Sequence, residues 1–181
     1  MNKLIYFLIL SLFLTFTISA FAIEDNDRNL ARIYLNVGIK YYNSKEYVKS
    51  LVELKKALNL DPTNQLVYYH LGLVYLDIKN YPDAVVAFKK AIELNPNFAA
   101  AFNNLGVIYL KTGNFSDAES VLRKAIIINP DDPDFHLYYA LALKNLGNVT
   151  DAIKELRKTI TLNQNLIEAR FLLASIYKQN S

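Results

Sequence analysis

The stretch AAAFNNLGVIYLKTGNFSDAESVLRKAIIINPDD, Ala99–Asp132, decides how the rest of the chain is read. It is 34 residues long, and sliding the sequence by that length brings like onto like. Gly106 falls on Gly72 and Gly38 in one direction, and Ala140 and Ala174 take its place in the other. Ala118 maps onto Ala84 and Ala152, Ala125 onto Ala91 and Ala57, and Pro130 onto Pro96 and Pro62. Self-similarity at such a period signals stacked units, none of which can bury its apolar face alone.

Within the quoted stretch, Phe102, Leu105, Gly106 and Tyr109 share one face of a first helix. Thr112-Gly113-Asn114 reads as a turn. Ser116 then opens a second helix as its cap, with Glu119 three residues on to complete a capping box, and Thr150 plays the same role in the next repeat. Ala118, Leu122, Ala125 and Ile126 form the inward stripe of the second helix. Asn129-Pro130 ends it, because a residue before proline is pushed out of the helical region. Gly106 and its equivalents lack bulk where the two helices cross, and Ala118 and Ala125 do the same from the other side.

The pattern Tyr68-x-x-Leu71-Gly72-x-x-Tyr75, then Ala84-x-x-x-Phe88 and Pro96, resembles the tetratricopeptide repeat, with Tyr68 where tryptophan is usual. The third repeat matches through Phe102, Leu105, Gly106, Tyr109, Ala118, Leu122, Ala125 and Pro130. The first matches through Tyr34, Gly38, Tyr41, Leu54, Ala57 and Pro62, with Ser50 where alanine is usual. His136, Leu143, Thr159 and Gln164 depart from the pattern in the fourth. The resemblance covers nearly all of the chain after Leu30. It implies an all-α fold, a right-handed α-solenoid of about four helix-turn-helix repeats at 31–64, 65–98, 99–132 and 133–166, closed by a single capping helix over 167–181.

The resemblance further implies that the first helices line a concave groove that holds segments of other proteins. The second, fifth, ninth, twelfth and thirteenth positions of each repeat would line it. Ninth positions are Ile39, Leu73, Val107 and Leu141; fifth positions are Leu35, Tyr69, Asn103, Leu137 and Phe171. Tyr42, Leu76 and Leu110 add to them from the twelfth, where the fourth repeat has Lys144. This stripe reads either as a surface for an apolar or amphipathic partner segment or as packing between neighbouring first helices. The clamp with which some relatives hold chaperone C-termini is absent, since its places hold Leu35, Ile39, His70, Ala100 and Asn104.

On the opposite face Lys55-Lys56, Lys89-Lys90, Arg123-Lys124 and Arg157-Lys158 recur at the same two positions. They read as a solvated face near helix C-termini, with Glu53 and Glu155 offsetting Lys56 and Lys158, or as a ladder for an anionic surface. His70 and His136 have no companion at metal-ligand spacing and read as structural. Asp132-Pro133 reads as a helix cap followed by proline in the first turn. With no phosphate loop or nucleophile elbow, no cofactor, metal or enzymatic activity is expected.

The chain is 52% hydrophobic, has no cysteine and carries a formal charge of +3. Thiolate metal sites, disulfides and a lipidated N-terminal cysteine are excluded, and so slight a charge does not suit a nucleic-acid binder. Residues 1–22 join basic Lys3, an apolar run from Leu4 to Ile18 and the small-x-small triplet Ala20-Phe21-Ala22. They read as a signal peptide leading to the periplasm or exterior, or as an uncleaved anchor that would keep the protein beside the membrane. A polar lead-in over 23–30 follows. At the other end, Phe171, Leu172, Leu173, Ile176 and Tyr177 make the last helix only half polar, fit to cap imperfectly or to meet a partner or second copy. The reading is thus an exported protein-binding scaffold in a cell-envelope complex. The alternative is a membrane-anchored accessory or sensor subunit of an envelope enzyme or of a secretion or pilus-type machine.

Overall fold

The computed structural model describes residues 25–179, and the expected signal segment 1–22 lies outside them. Among the described residues there are nine helices and no strand. The first, α1, runs over 25–43, so residues 25–30 of the expected polar lead-in continue a helix. It is followed by α2 (Tyr47–Leu60), α3 (Gln65–Asp77), α4 (Tyr81–Leu94), α5 (Ala99–Lys111), α6 (Phe115–Ile128), α7 (Pro133–Asn145), α8 (Val149–Leu162) and α9 (Ile167–Gln179). Odd-numbered helices are the first members of repeats, even-numbered ones the second. Two compact units divide within α3, the first ending at Val67 and the second beginning at Tyr68.

In the first unit α1 and α2 cross at Gly38, where an added Cβ would stand 2.8 Å from Leu54 Cγ. Ser50 faces the same crossing, fully buried, and its hydroxyl donates to the Gly38 carbonyl at 2.8 Å. The hydroxyl that departs from the repeat pattern is thereby satisfied, which removes the cost of burying it.

The second unit repeats this crossing. A Cβ on Gly72 would meet Phe88 Cε1 at 2.7 Å, and one on Gly106 would meet Leu122 Cδ2 at 2.6 Å. Phe88 and Leu122 are fully buried. The inner cluster of Ala84, Phe88, Ala91, Ala101, Leu105 and Ile108 joins α4 to α5, and a second, built on Ala140, Leu143, Ala152, Leu156, Ala169 and Ile176, joins α7, α8 and α9.

Turns inside the repeats share one geometry. Their fifteenth position is Lys45, Lys79, Gly113 or Gly147, with φ of 60°, 61°, 78° and 84°. Two of the four therefore hold a lysine in the left-handed region that glycine enters without strain. Joints between repeats are Asx turns. Asp61, Asn95, Asn129 and Asn163 each accept from the backbone N–H two residues on. Asn163, with no proline after it, has the same extended backbone as Asn129, φ −140° against −136°, so the side chain as well as the proline sets the joint.

Helix starts differ from expectation in one respect. Helices α6 and α8 begin one residue before Ser116 and Thr150, at Phe115 and Val149, with Asn114 and Asn148 as N-caps that make no side-chain cap bond. The capping box at Ser116 is not formed. Glu119 instead accepts from the Tyr139 hydroxyl at 3.1 Å and pairs with Arg123 at 3.5 Å. Burial first, then this bond to Glu119, pushes the Tyr139 phenol up to about 12. Asp132 does cap α7, accepting from the Asp134 N–H at 3.0 Å ahead of Pro133.

Candidate functional site

In the first unit, Ile39 and Tyr42 of α1 are half-buried, with the Tyr42 ring 6.2 Å from that of Tyr47. Leu35 is only 4% exposed. It is a core residue, which corrects its reading as a groove-lining one.

In the second unit the first helices lie side by side. Asn104 Nδ2 on α5 donates to the Tyr69 hydroxyl on α3 at 3.2 Å, and α5 in turn contacts α7. Along this face Tyr69, Leu73, Leu76, Val107, Leu110, Leu137 and Leu141 are half-buried, and Phe171 is 76% exposed. Tyr69, Leu73 and Leu76 rest on the cluster around Phe88 and Leu105, Leu110 on that around Leu122, and Leu137 on that around Leu156. Each of these side chains therefore packs on one side and meets solvent on the other, which joins the two readings of the stripe. Asn103 is the exception. At 8% exposure it is buried, with its Oδ1 unpartnered, whereas Tyr69 and Leu137 at the same repeat position stay half-buried.

At one end of the face Tyr69 is surrounded by rings, with centroids 4.7 Å to Phe98, 5.4 Å to His70 and 5.8 Å to Phe88. Burial raises the Tyr69 phenol and depresses the His70 imidazole. His70 Nδ1 is buried with no hydrogen-bond partner, so the ring is held neutral against apolar surroundings. At the other end Asp134 and Glu168 occupy the second position on α7 and α9. Burial first, then the charges of Asp132 and Glu168, raises the Asp134 carboxyl. Burial also raises the Tyr138 phenol, and the carboxylates of Asp134 and Glu168 add to the effect. Sequence reading missed this acidic corner, although the shared register of Asp134 and Glu168 contained it.

His136, read from the sequence as structural, is 5% exposed. Its Nδ1 lies 2.6 Å from Glu155 Oε2 and its Nε2 2.9 Å from the Pro130 carbonyl. Glu155 was expected to offset Lys158 on the surface; the buried imidazole claims it because a short bond out of water is the stronger partner. The basic ladder otherwise lies at the surface, where Arg157 donates to the Tyr177 hydroxyl on α9 at 3.0 Å. Lys56 pairs with Glu53 at 2.8 Å, Lys90 with Glu93 at 2.6 Å, and Lys124 lies 5.6 Å over the Phe102 ring.

An open cleft of about 410 Å³ lies off this face, between the start of α4 and the end of α5, lined by Tyr81, Pro82, Val85, Ile108, Tyr109, Thr112 and Asn114. No three His, Asp or Glu side chains among the described residues converge to hold a metal. None of the described helices is long and apolar enough to cross a membrane.

The family model described as "Tetratricopeptide repeat" matches residues 79–137 and 113–176, and a second, "TPR repeat", matches 38–79. No curated protein matches the chain. Among solved structures, MamA from Desulfovibrio magneticus RS-1 is similar at 21% identity with a TM-score of 0.77, over 83% of this chain and 85% of that one. PilF of Pseudomonas aeruginosa is similar at 21% identity and a TM-score of 0.76, over 87% of this chain and 71% of that one. The first TPR of Spaghetti (RPAP3), bound to the HSP90 peptide SRMEEVD, is similar at 23% identity and 0.63, over 66% and 94%. These likenesses are of fold, and the fold is one that serves as a protein-interaction scaffold. With family models matched across more than half its length on the repeats described above, the chain belongs to the tetratricopeptide repeat family.

Proposed function

We propose that the protein is an exported, non-enzymatic scaffold that binds an amphipathic segment of a partner protein along the first helices of its second unit and serves a cell-envelope complex. One observation carries the reading of the partner. The ninth positions of the second unit, Leu73, Val107 and Leu141, are all aliphatic and all half-buried, so they offer apolar surface that the core leaves unused. Asp134 and Glu168, exposed at the second position of α7 and α9, add negative charge beside this surface and suit a segment that also carries a basic residue. The signal-like residues 1–22 support export.

A photo-crosslinking side chain placed at Val107 or Leu141 in the full chain, in its native cells, tests the binding face. Adducts are expected from both and not from the same probe at Lys124. Adducts from Lys124 alone would reject the face. An alkaline phosphatase fused to the C-terminus tests export, since it is active only outside the cytoplasm; an inactive fusion would reject that half of the proposal.

A further inference from the structure

Helix α9 repeats the design of a first helix, and its neighbours show what such a helix is shaped to receive. At the eighth position of each earlier repeat a small residue is covered by a large one from the second helix. Gly38 is covered by Leu54, Gly72 by Phe88 and Gly106 by Leu122. In the fourth repeat Ala140 and Leu156 are both fully buried in one cluster. The same register places Ala174 on α9, where it is exposed, with half-buried Leu173 on one side and, one turn on, Tyr177, 45% exposed, whose hydroxyl accepts from Arg157 of α8 at 3.0 Å.

The fourth position adds charge. It holds a ring in every repeat, Tyr34, Tyr68, Phe102 and His136, and His136 pairs with Glu155, the residue just before the covering Leu156. On α9 this position is Arg170, exposed. A second helix laid on α9 as α8 lies on α7 would thus bring an acidic residue to Arg170 and a large apolar one to Ala174. Steric fit narrows the apolar residue. The aromatic Phe88 is accommodated by a glycine, whereas the alanine of the fourth repeat is matched by leucine.

We propose that the exposed face of α9 is a docking site for a helix of another protein that carries an acidic residue immediately before a leucine. A second copy of α9 does not suit it. The one acidic residue of α9, Glu168, precedes Ala169, so a second copy brings no acidic–leucine pair to Arg170 and Ala174. An outer face as polar as that of α8, where Lys154, Arg157 and Lys158 are exposed, would complete the surface.

The α8 sequence itself, Val149–Leu162, is the probe, since it holds the Glu155-Leu156 pair. A fluorescein-labelled peptide of that sequence, stapled on its solvent side to hold the helix, is titrated into the full chain by anisotropy. Saturable binding is expected, weakened about tenfold by Arg170→Glu in the protein or by Glu155→Lys in the peptide, and restored to within about twofold when the two are combined. Leu156→Phe in the peptide should weaken binding, and Ala174→Glu in the protein should abolish it. Circular dichroism confirms that the variants stay folded, as expected for exposed positions. No saturable binding, or binding indifferent to the charge exchange, overturns the proposal. So does a dimer in sedimentation that Ala174→Glu dissolves, which assigns the face to a second copy.

Discussion

Replacing Gly106 by alanine tests whether close crossing of the helices is what the repeating glycine is for. A free helix would gain about 1 kcal/mol from the change, because alanine loses less backbone entropy than glycine. Here the new Cβ would stand 2.6 Å from Leu122 Cδ2, roughly an ångström inside ordinary contact, and Leu122 is fully buried with nowhere to swing. Overpacking of this kind costs about 2 kcal/mol, so the net expectation is a loss of about 1 kcal/mol. Leu122→Ala alone opens a cavity at a cost of about 3 kcal/mol. In the double variant the clash is gone, the propensity gain stays and the added methyl fills some of the hole. Its cost should be about 2 kcal/mol instead of the additive 4, a coupling of about 2 kcal/mol. Urea unfolding of the four proteins, followed by far-UV circular dichroism, measures the cycle. A double variant equal to the sum of the singles within about 0.5 kcal/mol would refute the reasoning.

Other consequences are more local. Lys79→Gly should stabilise by about 0.5–1 kcal/mol by relieving a left-handed lysine, and Gly113→Ala should cost about 1 kcal/mol although the added Cβ would meet nothing within 4 Å; thermal melts read both, and equal signs would reject the turn argument. His136→Ala should cost about 2–3 kcal/mol by stranding the Glu155 carboxylate and the Pro130 carbonyl, with Glu155→Gln costing less because an amide still bonds the ring; urea midpoints rank the two, and the reverse order would reject the pairing. Burial depresses the His70 imidazole, so the unfolded chain takes up a proton below about pH 6.5 that the folded chain refuses. The stability this contributes is full above that pH and falls as the pH drops toward the lower folded value. His70→Phe should flatten the acid limb of a urea midpoint against pH, and an unchanged limb would show that other groups set it.

The helix pairs were legible because the same demand is placed on the sequence several times. Gly38, Gly72 and Gly106 each meet a large side chain, and three independent coincidences of that sort do not arise by chance. What was not legible depends on a partner in another helix. Ser50 and His136 depart from the repeat pattern, yet each is satisfied from outside its own helix, by the Gly38 carbonyl and by Glu155 with Pro130; Thr159 bonds the Glu155 carbonyl one turn back in its own helix. Nothing about a serine or histidine within its own helix announces the acceptor across the interface. The capping box failed for a similar reason. Glu119 could reach back along its own helix, but Tyr139 and Arg123 offered it bonds elsewhere.

The binding face shows where the limit lies. A register argument places Leu35, Asn103 and Phe171 at one equivalent position, yet two are buried and one is 76% exposed. Ala140 and Ala174 agree in both residue type and register, and the first is fully buried while the second is exposed. The difference is supplied by the next helix in the stack: α8 covers Ala140, and none of the described helices covers Ala174. Repeated sequence therefore encodes the shape that a surface offers, and the stack decides which copies of that shape are consumed in folding. A copy left over offers a shape whose counterpart, elsewhere in the same molecule, accepts a helix. For α9 that counterpart is α7 under α8, which is why its most informative test is a peptide cut from α8.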